Sequence, residues 1–226
     1  EERLDSWRKE LFSVRLLLWM GALGLISLAL LLTFTRNAWI GAALGVACVV
    51  FFFDKRWLIP AAVAGIILLL LLPAPFTDRL YAAFDFTDTT NQGRFELLQT
   101  GIAMVWENPV TGVGPRMIPI LAPQFAHRYL ENEDFPPWLY QHLHNSPLQV
   151  AAEMGLIGLA AWLGLWLFIL WSLWRISVLH KSDKLAYYLS VTGICVLVAF
   201  LSAGLFEYNF GDSEIITLLL FFVTVP

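Results

Sequence analysis

The stretch HLHNSPLQVAAEMGLIGLAAWLGLWLFILW, from His142 to Trp171, sets two histidines and an asparagine directly before a long apolar segment. The segment from Met154 to Trp174 is uncharged and about as long as the twenty residues that a helix needs to cross a bilayer. Just before it, S-P-L-Q from Ser146 is a capping-box pattern with proline at the favoured first helical position. The stretch therefore predicts a membrane helix that begins at Ser146, with polar side chains at its entrance.

Other apolar segments flank this helix and have spanning length: Leu16–Thr35, Asn37–Phe53, Trp57–Thr77 and Leu185–Phe206. Charged residues make up only 14% of the 226 residues, against about 25% in soluble proteins. The predicted fold is therefore all-α, a polytopic bundle of transmembrane helices. The last apolar segment, residues 215–226, is too short to span, and we expect the chain to be the C-terminal half of a longer membrane protein.

The basic residues fall unevenly on the two sides of this predicted bundle. Nine lie on one side, whereas the other side has five arginines and no lysine. The positive-inside rule assigns the lysine-containing side to the cytoplasm. The prediction divides the chain into residues 1–77, a cytoplasmic segment with three transmembrane helices; residues 78–147, one large extracytoplasmic loop; and residues 148–226, three helices of which the last is truncated.

The large loop is expected to contain short helices. Asn91–Trp106 reads NQGRFELLQTGIAMVW and places apolar side chains at helical spacing, namely Phe95, Leu98, Ile102 and Val105. Pro109 then ends the helix, and TGVGP after it forms a glycine-dependent turn. Two placements fit this pattern equally, one on the membrane surface and one packed over the transmembrane bundle.

Three arginines on the loop side are candidate binding residues for an anion: Arg36, Arg94 and Arg116. Guanidinium groups make planar, multidentate contacts with phosphate. The unpaired N–H groups at the start of a helix also favour an anion. Because the loop has eight acidic residues against four arginines, any anion must be held by local contacts. The alternative is structural, as charges that snorkel from the end of a span or stay solvated.

His144 is the candidate general base, because a neutral imidazole can accept a proton near neutral pH. His142 and Asn145 flank it as secondary site residues. Glu153, an ionisable residue near the membrane boundary, is a functional candidate, with a structural ion pair as the alternative. The H-x-H spacing also fits metal binding, but zinc needs three or four ligands and only His127 and nearby acids remain on this side. We therefore expect no metal and no cofactor.

Several of these stretches together resemble the O-antigen ligase/polymerase superfamily with a Wzy-type C-terminal domain. They are TRNAWIGA (Thr35–Ala42), Arg94 followed by ENPVTGVGP (Glu107–Pro115), HLHNSPLQVAAEMGLIGL (His142–Leu159) and EYNFGDSE (Glu207–Glu214). The order of spans, large loop and closing spans is also similar, and the resemblance covers most of the chain. The H-x-H-N…E-x-G-x-x-G stretch is its most specific part.

The resemblance implies a GT-C-like, inverting glycosyltransferase of the bacterial inner membrane whose active site faces the periplasm. Such an O-antigen ligase moves a glycan from undecaprenyl pyrophosphate to a sugar hydroxyl of lipid A–core in lipopolysaccharide biosynthesis, without metal or ATP. By this resemblance Arg36 and Arg94 hold the pyrophosphate, and His144 deprotonates the acceptor; Arg116 is a candidate for the same pyrophosphate from its place in the loop alone. Glu153 matches a glutamate of the family. The family's earlier spans are absent here, so the fragment alone is expected to be inactive.

Two alternatives stay open, and no nucleic-acid partner is expected. An O-antigen or exopolysaccharide polymerase would use the same donor but a lipid-linked glycan as the acceptor. A transporter or flippase would place ionisable groups near the middle of the membrane, on broken helices. In this sequence the ionisable groups gather at one membrane face instead, which favours the glycosyltransferase.

Overall fold

The computed structural model describes residues 14–82, 85, 87–129 and 140–225, and the regular structure within these ranges is entirely helical. The α-helices are α1 (Val14–Leu32), α2 (Arg36–Asp54), α3 (Leu58–Leu71), α4 (Ala74–Tyr81), α5 (Thr89–Glu107), α6 (Ile118–Tyr129), α7 (Ser146–Leu179), α8 (Lys184–Gly204) and α9 (Ser213–Thr224). Among the described residues, four segments are long and apolar enough to cross a membrane: Val14–Leu32, Arg36–Leu71, Ser146–Leu179 and Lys184–Gly204. The prediction of an all-α, polytopic membrane protein is confirmed.

The segment Arg36–Leu71 contains two helices, α2 and α3, joined by a 3-10 turn at Lys55–Trp57. The carboxylate of Asp54 accepts a hydrogen bond from the N–H of Arg56 at 3.0 Å and so begins the turn. The chain then comes back, because Phe76 of α4 stacks on Phe34, which precedes α2, with ring centroids 4.8 Å apart. The reversal that is expected between the predicted spans Asn37–Phe53 and Trp57–Thr77 is therefore present.

The predicted span Trp57–Thr77 is wrong at its end, because α3 stops at Leu71. Leu72 is extended, with φ −66° and ψ 145°, which is the conformation that a following proline favours. That proline is Pro73, and the rest of the predicted span forms α4. The hydrophobicity of the segment does not indicate this break, because proline interrupts a helix without making the segment polar.

Helices α2 and α8 are packed closely by small residues. A Cβ atom on Gly41 would lie 2.8 Å from the carbonyl oxygen of Ala199, and one on Gly45 would lie 3.1 Å from the Cβ of the same alanine. Gly41 also faces Ala203, and Gly45 faces Cys195, so the two helices run antiparallel. This G-x-x-x-G contact is a common way for membrane helices to approach each other. It brings the start of α2 beside the end of α8.

The apolar core joins α7, α8 and α9. Its buried side chains include Trp162, Trp166, Leu173, Leu197, Phe200 and Leu219. The starts of α2 and α7 and the end of α8 define one end of this bundle, called the histidine end below. Lys55, Lys181 and Lys184 lie at the opposite end, at the junctions between consecutive helices. The basic residues before Arg15, on which the topology prediction also rests, lie outside the described residues.

Helix α5 packs over the bundle with a different face from the one that its apolar pattern predicts. Leu97, Thr100 and Met104 are buried against α6 and α7. Phe95, Leu98 and Ile102, on the predicted apolar face, are exposed. In a helix that borders lipid, the apolar side chains can contact the lipid instead of the protein. The periodicity therefore identifies the apolar face of the helix but not which face packs against protein.

Candidate active site

The polar residues of the histidine end converge on Glu207, in the short connection between α8 and α9. Its Oε1 lies 2.9 Å from Nδ1 of His144 and 3.4 Å from Nδ1 of His142. Its Oε2 lies 3.6 Å from Nη2 of Arg94, on α5. One carboxylate therefore joins the loop before α7, the helix α5 and the α8–α9 connection.

The backbone around Glu207 is fixed by the residues that begin α7. Asn145 donates through Nδ2 to the carbonyl oxygen of Leu205 at 2.8 Å. The Oγ of Ser146 lies 3.0 Å from the carbonyl oxygen of Glu207 and 2.9 Å from Oδ1 of Asn209. The start of α7 and the α8–α9 connection are thus held together by side-chain hydrogen bonds, and the position of the carboxylate beside the histidines follows from them.

The predicted capping box at Ser146 is wrong, because Asn145 is the N-cap of α7. The Oδ1 of Asn145 accepts from the N–H of Leu148 at 2.8 Å, and the hydroxyl of Ser146 is engaged across the bundle. Gln149, the other member of the predicted box, accepts from the N–H of Leu143 at 2.9 Å. Asparagine is at least as good an N-cap as serine, so the two adjacent candidates could not be separated by propensity.

The geometry at His144 assigns a tautomer. An ionised carboxylate only accepts hydrogen bonds, so Nδ1 of His144 carries the proton that Glu207 accepts. The ring is then left with a lone pair on Nε2, which is buried and has no hydrogen-bond partner among the described residues. A histidine oriented by a carboxylate on one nitrogen, with the other nitrogen unengaged, is prepared to accept a proton.

The backbone of His144 adopts a left-handed conformation, with φ 49°. Histidine is enriched in this region among residues other than glycine, but the conformation still has an energetic cost and needs support from its surroundings. The support comes from the Glu207 contact and from the neighbouring His142 ring, whose centroid lies 4.1 Å from that of His144. Strain of this kind is frequent where a side chain must be held in one orientation for chemistry.

The two titratable neighbours of His144 are held in their usual neutral-pH charge states. Burial lowers the pKa of His142, and repulsion from the His144 ring, when that ring is protonated, lowers it further, although Glu207 opposes both effects. Burial raises the pKa of Glu207, but the hydrogen bond from His144, together with the charge of that ring once it is protonated, outweighs burial, so that the pKa is lowered overall. At neutral pH the site therefore contains a neutral His142 beside an ionised Glu207.

A group of arginines lies next to this cluster. The guanidinium groups of Arg36, Arg79 and Arg94 are near enough to interact electrostatically. Arg36, the first residue of α2, donates to Oδ1 of Asn91 at 3.1 Å, and Arg79 lies near the turn before α2, with Nε 3.4 Å from the carbonyl oxygen of Phe34. Like charges this close repel each other, and a cation at a helix start is unfavourable without an anion. The arrangement suits a multiply charged anion.

Glu153 lies in a different environment from His144. Its Oε1 accepts from Nε2 of Gln149 at 2.8 Å and from the backbone N–H of Arg116 at 3.1 Å. The side chain is buried, and its partners belong to α7 and to the turn before α6. Glu153 thus ties the turn to the helix. The catalytic role that the sequence assigns to it stays a prediction.

The same turn is locked into a kink of α7. Gly155 has φ 69° and ψ −174°, which only glycine adopts readily. The kink frees the carbonyl oxygens of Ala152 and Glu153, which accept from the N–H groups of Val113 and Gly114 at 2.8 and 3.0 Å. In return the N–H of Leu156 donates to the carbonyl oxygen of Pro109 at 2.8 Å. The backbone groups that the kink leaves without partners inside α7 are therefore hydrogen-bonded to the backbone of the turn 109–114.

Arg116 follows this turn, also in the left-handed region, with φ 61°. Its side chain is exposed, and its charge acts on the phenol of Tyr208, the residue after Glu207. The ring of Tyr208 in turn lies 6.0 Å from that of His142. The Glu153 contact thus brings a further cation toward the histidine end.

The predicted site residues are therefore found in one region, but with unequal roles. The structure brings His142, His144 and Arg94 together on Glu207, with Arg36 and Arg116 around them, and uses Asn145 as a cap. Sequence reasoning did not single out Glu207, Asn91 or Arg79. The acidic EYNFGDSE connection was the available signal for Glu207, but the pairing depends on contacts more than sixty residues apart.

His142, His144 and Glu207 also have the composition of a metal site. The three potential ligand atoms all lie within 4.8 Å of one another, and two histidines with one carboxylate can bind zinc. The same atoms are, however, already paired in a hydrogen-bonded arrangement that needs no ion. The expectation of a metal-independent site stays a prediction.

The fold and this site define a multi-pass membrane protein with a cluster of imidazoles and guanidinium groups at one end of its bundle. A family model described as O-antigen ligase matches residues 21–163. The chain belongs to this family, and its function is therefore of the ligase and polymerase kind. The matched range includes the arginines and both histidines but ends before Glu207. No curated protein matches the chain.

Proposed function

We propose that the protein is an O-antigen ligase. It transfers a glycan from undecaprenyl pyrophosphate to a sugar hydroxyl of lipid A–core, at the periplasmic face of the bacterial inner membrane. The family supports glycan transfer in general, and the site chemistry supports this donor and this use of His144. The observation that carries the proposal is the buried Nε2 of His144, which has no hydrogen-bond partner among the described residues and lies beside a group of arginines.

The reaction needs a base and an anion site, and the chain offers both. The acceptor O–H gives its proton to Nε2 of His144, and its oxygen forms a bond to the anomeric carbon. The bond from that carbon to the phosphate oxygen breaks, and undecaprenyl pyrophosphate leaves with the bonding electron pair, so that the anomeric configuration inverts. General-base catalysis of such a step typically contributes about 10²–10⁴-fold.

Arg36, Arg94 and Arg116 bind the pyrophosphate before and after bond cleavage. The distance between Arg94 and Glu207, 3.6 Å, is longer than a hydrogen bond, so the guanidinium keeps donors for a phosphate oxygen. Guanidinium groups stabilise the charge that builds up on the departing group, and they need no metal ion for it. Glu207 orients His144 and stabilises the imidazolium that forms.

A polymerase is the second candidate, because the same residues would serve a lipid-linked glycan as the acceptor. Lipopolysaccharide from cells that lack the full-length gene separates the two functions on a gel. A ligase predicts loss of all long chains together with accumulation of lipid-linked polymer. A polymerase predicts core with a single repeat. An unchanged banding pattern would contradict both.

The sidedness of the site is tested separately. With single cysteines at Thr89 and at Ser182, in a background without Cys48 and Cys195, we expect an impermeant thiol reagent to label only Thr89→Cys in intact cells with a permeabilised outer membrane. Lysed cells serve as the control, in which both positions should react. Equal labelling of the two positions in intact cells would rule out a periplasmic site.

A further inference from the structure

The side chain of Asn91 joins three parts of the chain at the edge of the arginine group. Asn91 lies in the first turn of α5, and its Oδ1 accepts from Nη2 of Arg36, the first residue of α2, at 3.1 Å. Its Nδ2 donates to the carbonyl oxygens of Ala82 and Asp85, between α4 and α5, at 2.7 and 2.8 Å. Both the amide nitrogen and the amide oxygen are therefore engaged.

The backbone of Asn91 is fixed as well. Asp88 is the N-cap of α5, and its Oδ1 accepts from the backbone N–H groups of Thr90 and Asn91 at 2.9 and 3.2 Å. The two hydrogen bonds of Nδ2 set the orientation of the amide plane, and the oxygen of the same amide faces Arg36. The position of the Arg36 guanidinium is therefore defined by α5 and not by α2 alone.

This contact orients Arg36 without neutralising its charge. A guanidinium has several N–H donors, and the hydrogen bond to Asn91 uses one of them. Within the part of the chain that the structure describes, Arg36 makes no other side-chain hydrogen bond and no salt bridge. The negative charge of Asp88 acts on Arg36, but that carboxylate caps α5. A neutral acceptor thus leaves the positive charge and the remaining donors of Arg36 to an anion.

The neighbouring cations make such an orienting contact necessary. Arg94 lies three residues after Asn91 on α5, and residues at this spacing are neighbours on the surface of a helix. The charges of Arg94 and Arg79 both act on Arg36. Because like charges repel and an arginine side chain has many rotamers, Arg36 would otherwise turn away from the other two. Helix α5 therefore contributes one cation itself and holds a second beside it.

We propose that Asn91 is a positioning residue of the anion site, which holds the guanidinium of Arg36 beside that of Arg94 so that both contact one pyrophosphate. The inference rests on the proposed function for the identity of the anion. Asn91 acts through Arg36 and does not itself contact the substrate. Its neutrality matters, because a carboxylate in its place would bind Arg36 more strongly and would compete with the anion.

A double-mutant cycle tests whether Asn91 acts through Arg36. Equilibrium binding of undecaprenyl pyrophosphate to the purified full-length protein is measured for the wild type, Asn91→Ala, Arg36→Ala and the double variant. We expect Asn91→Ala to lower donor affinity about 2–10-fold, the contribution of one hydrogen bond, and the double variant to bind no more weakly than Arg36→Ala. Additive losses would contradict the proposal, because residues that act independently give additive effects. An unchanged affinity in Asn91→Ala would also contradict it.

The variant Asn91→Asp separates orientation from charge. We expect its donor affinity to fall below that of Asn91→Ala and to approach that of Arg36→Ala, although the side chain keeps nearly the same size. Gln99→Ala changes an exposed polar residue about two turns further along α5, and as the matched control it should bind the donor like the wild type. Wild-type affinity in Asn91→Asp would overturn the proposal. So would a loss in Asn91→Ala that only follows its loss of folded protein, measured as melting temperature.

A measurement without substrate distinguishes failure of this proposal from failure of the proposed function. Phenylglyoxal modifies accessible guanidinium groups, and mass spectrometry of the peptides reports the modification of Arg36. We expect Arg36 to react faster in Asn91→Ala than in the wild type or in Gln99→Ala, and equal rates would contradict the role of Asn91. If the wild type binds no undecaprenyl pyrophosphate, the proposed function is wrong, and these rates still decide whether Asn91 holds Arg36. If the wild type binds the donor but the cycle is additive, the function stands and the positioning role is wrong.

Discussion

His144 and Glu153 lie nine residues apart in one stretch of sequence, yet their polar atoms are engaged in opposite ways. Glu153 is buried and satisfied by two donors, one of them the backbone of the turn before α6. His144 is oriented by Glu207 through one nitrogen, and its other nitrogen has no partner among the described residues. A buried polar group that is satisfied holds structure together, whereas one left unsatisfied is available for a ligand.

The sequence around these two residues therefore has an architectural half around Gly155 and a chemical half around His144. The architectural half closes backbone hydrogen bonds that the kink would otherwise leave open. The chemical half leaves a lone pair open and keeps the strained backbone of His144 in place. Substitutions in the two halves should therefore have different effects. Those around Gly155 should reduce the amount of folded protein, whereas those around His144 should reduce glycan transfer and leave the fold intact.

The largest effect is expected for Gly155→Ala. A Cβ atom there would lie within van der Waals overlap of the Val110 carbonyl group, and the backbone conformation alone costs about 1–3 kcal/mol for other residues. We expect little folded protein in the membrane and correspondingly no transfer. The measurement is thermal stability by fluorescence-detected gel filtration of detergent extracts.

Gly164→Ala is the matched control for this change, because a Cβ atom at Gly164, on the same helix, would meet open space. It should keep the wild-type melting temperature. If Gly155→Ala is as stable as the control, the interlock between the kink and the turn 109–114 does not contribute to stability in the way described.

The next effect concerns Arg36. Replacing it with alanine removes charged hydrogen bonds to the anion, each typically worth about 1.5–3 kcal/mol, so donor affinity should fall roughly 10–100-fold. Arg36→Lys should restore only part of the affinity, since lysine lacks the planar fork of donors. Equilibrium binding of undecaprenyl pyrophosphate to the purified full-length protein measures both, with Arg56→Ala, at the opposite end of the bundle, as the control. Full rescue by lysine would show that charge alone is needed.

A smaller effect is expected for Glu207→Gln. The glutamine still occupies the space and can accept from His144, but it no longer stabilises the imidazolium, so kcat should fall about 10–100-fold, the range found for carboxylates that orient a metal-binding histidine through its other nitrogen.

Three comparisons separate this positioning role from a structural or metal-binding one. Glu207→Asp should recover part of kcat, donor affinity should remain near the wild-type value, and a chelator such as EDTA should leave the wild-type rate unchanged. Loss of activity in EDTA that zinc restores would instead make His142, His144 and Glu207 metal ligands. An unchanged kcat in Glu207→Gln would remove Glu207 from the mechanism.

Much of this fold could be predicted from the sequence, because long uncharged segments have few alternatives to membrane helices. The reversal at Lys55 and the helix from Ser146 onward are local features of that kind. The early end of α3 and the outward face of α5 were not predicted, since hydrophobicity does not separate contact with lipid from contact with protein. The N-cap was misassigned to Ser146 because two good caps stand side by side.

The site could be predicted only in part, for a physical reason. Arg36, Arg94 and His144 are ionisable residues near a predicted membrane boundary, where such residues are candidates for function, so each can be identified from the sequence alone. Glu207 reaches the site only through long-range packing. Helix α2 packs on α8 through its glycines, and Asn145 and Ser146 form hydrogen bonds to the α8–α9 connection that contains Glu207. Such contacts join residues that are distant in sequence, and composition or spacing does not reveal them.

The most direct test of the central claim compares His144→Ala with Glu153→Gln in the full-length protein at equal membrane abundance. Glycan transfer, donor binding and melting temperature are measured on the same preparations. We expect His144→Ala to lose about 10²–10⁴-fold in transfer while donor affinity and melting temperature stay near the wild-type values. Glu153→Gln should lower the melting temperature and reduce transfer only in proportion to the folded protein. Near-normal transfer by His144→Ala, with a stable but inactive Glu153→Gln, would contradict the assignment of the two residues.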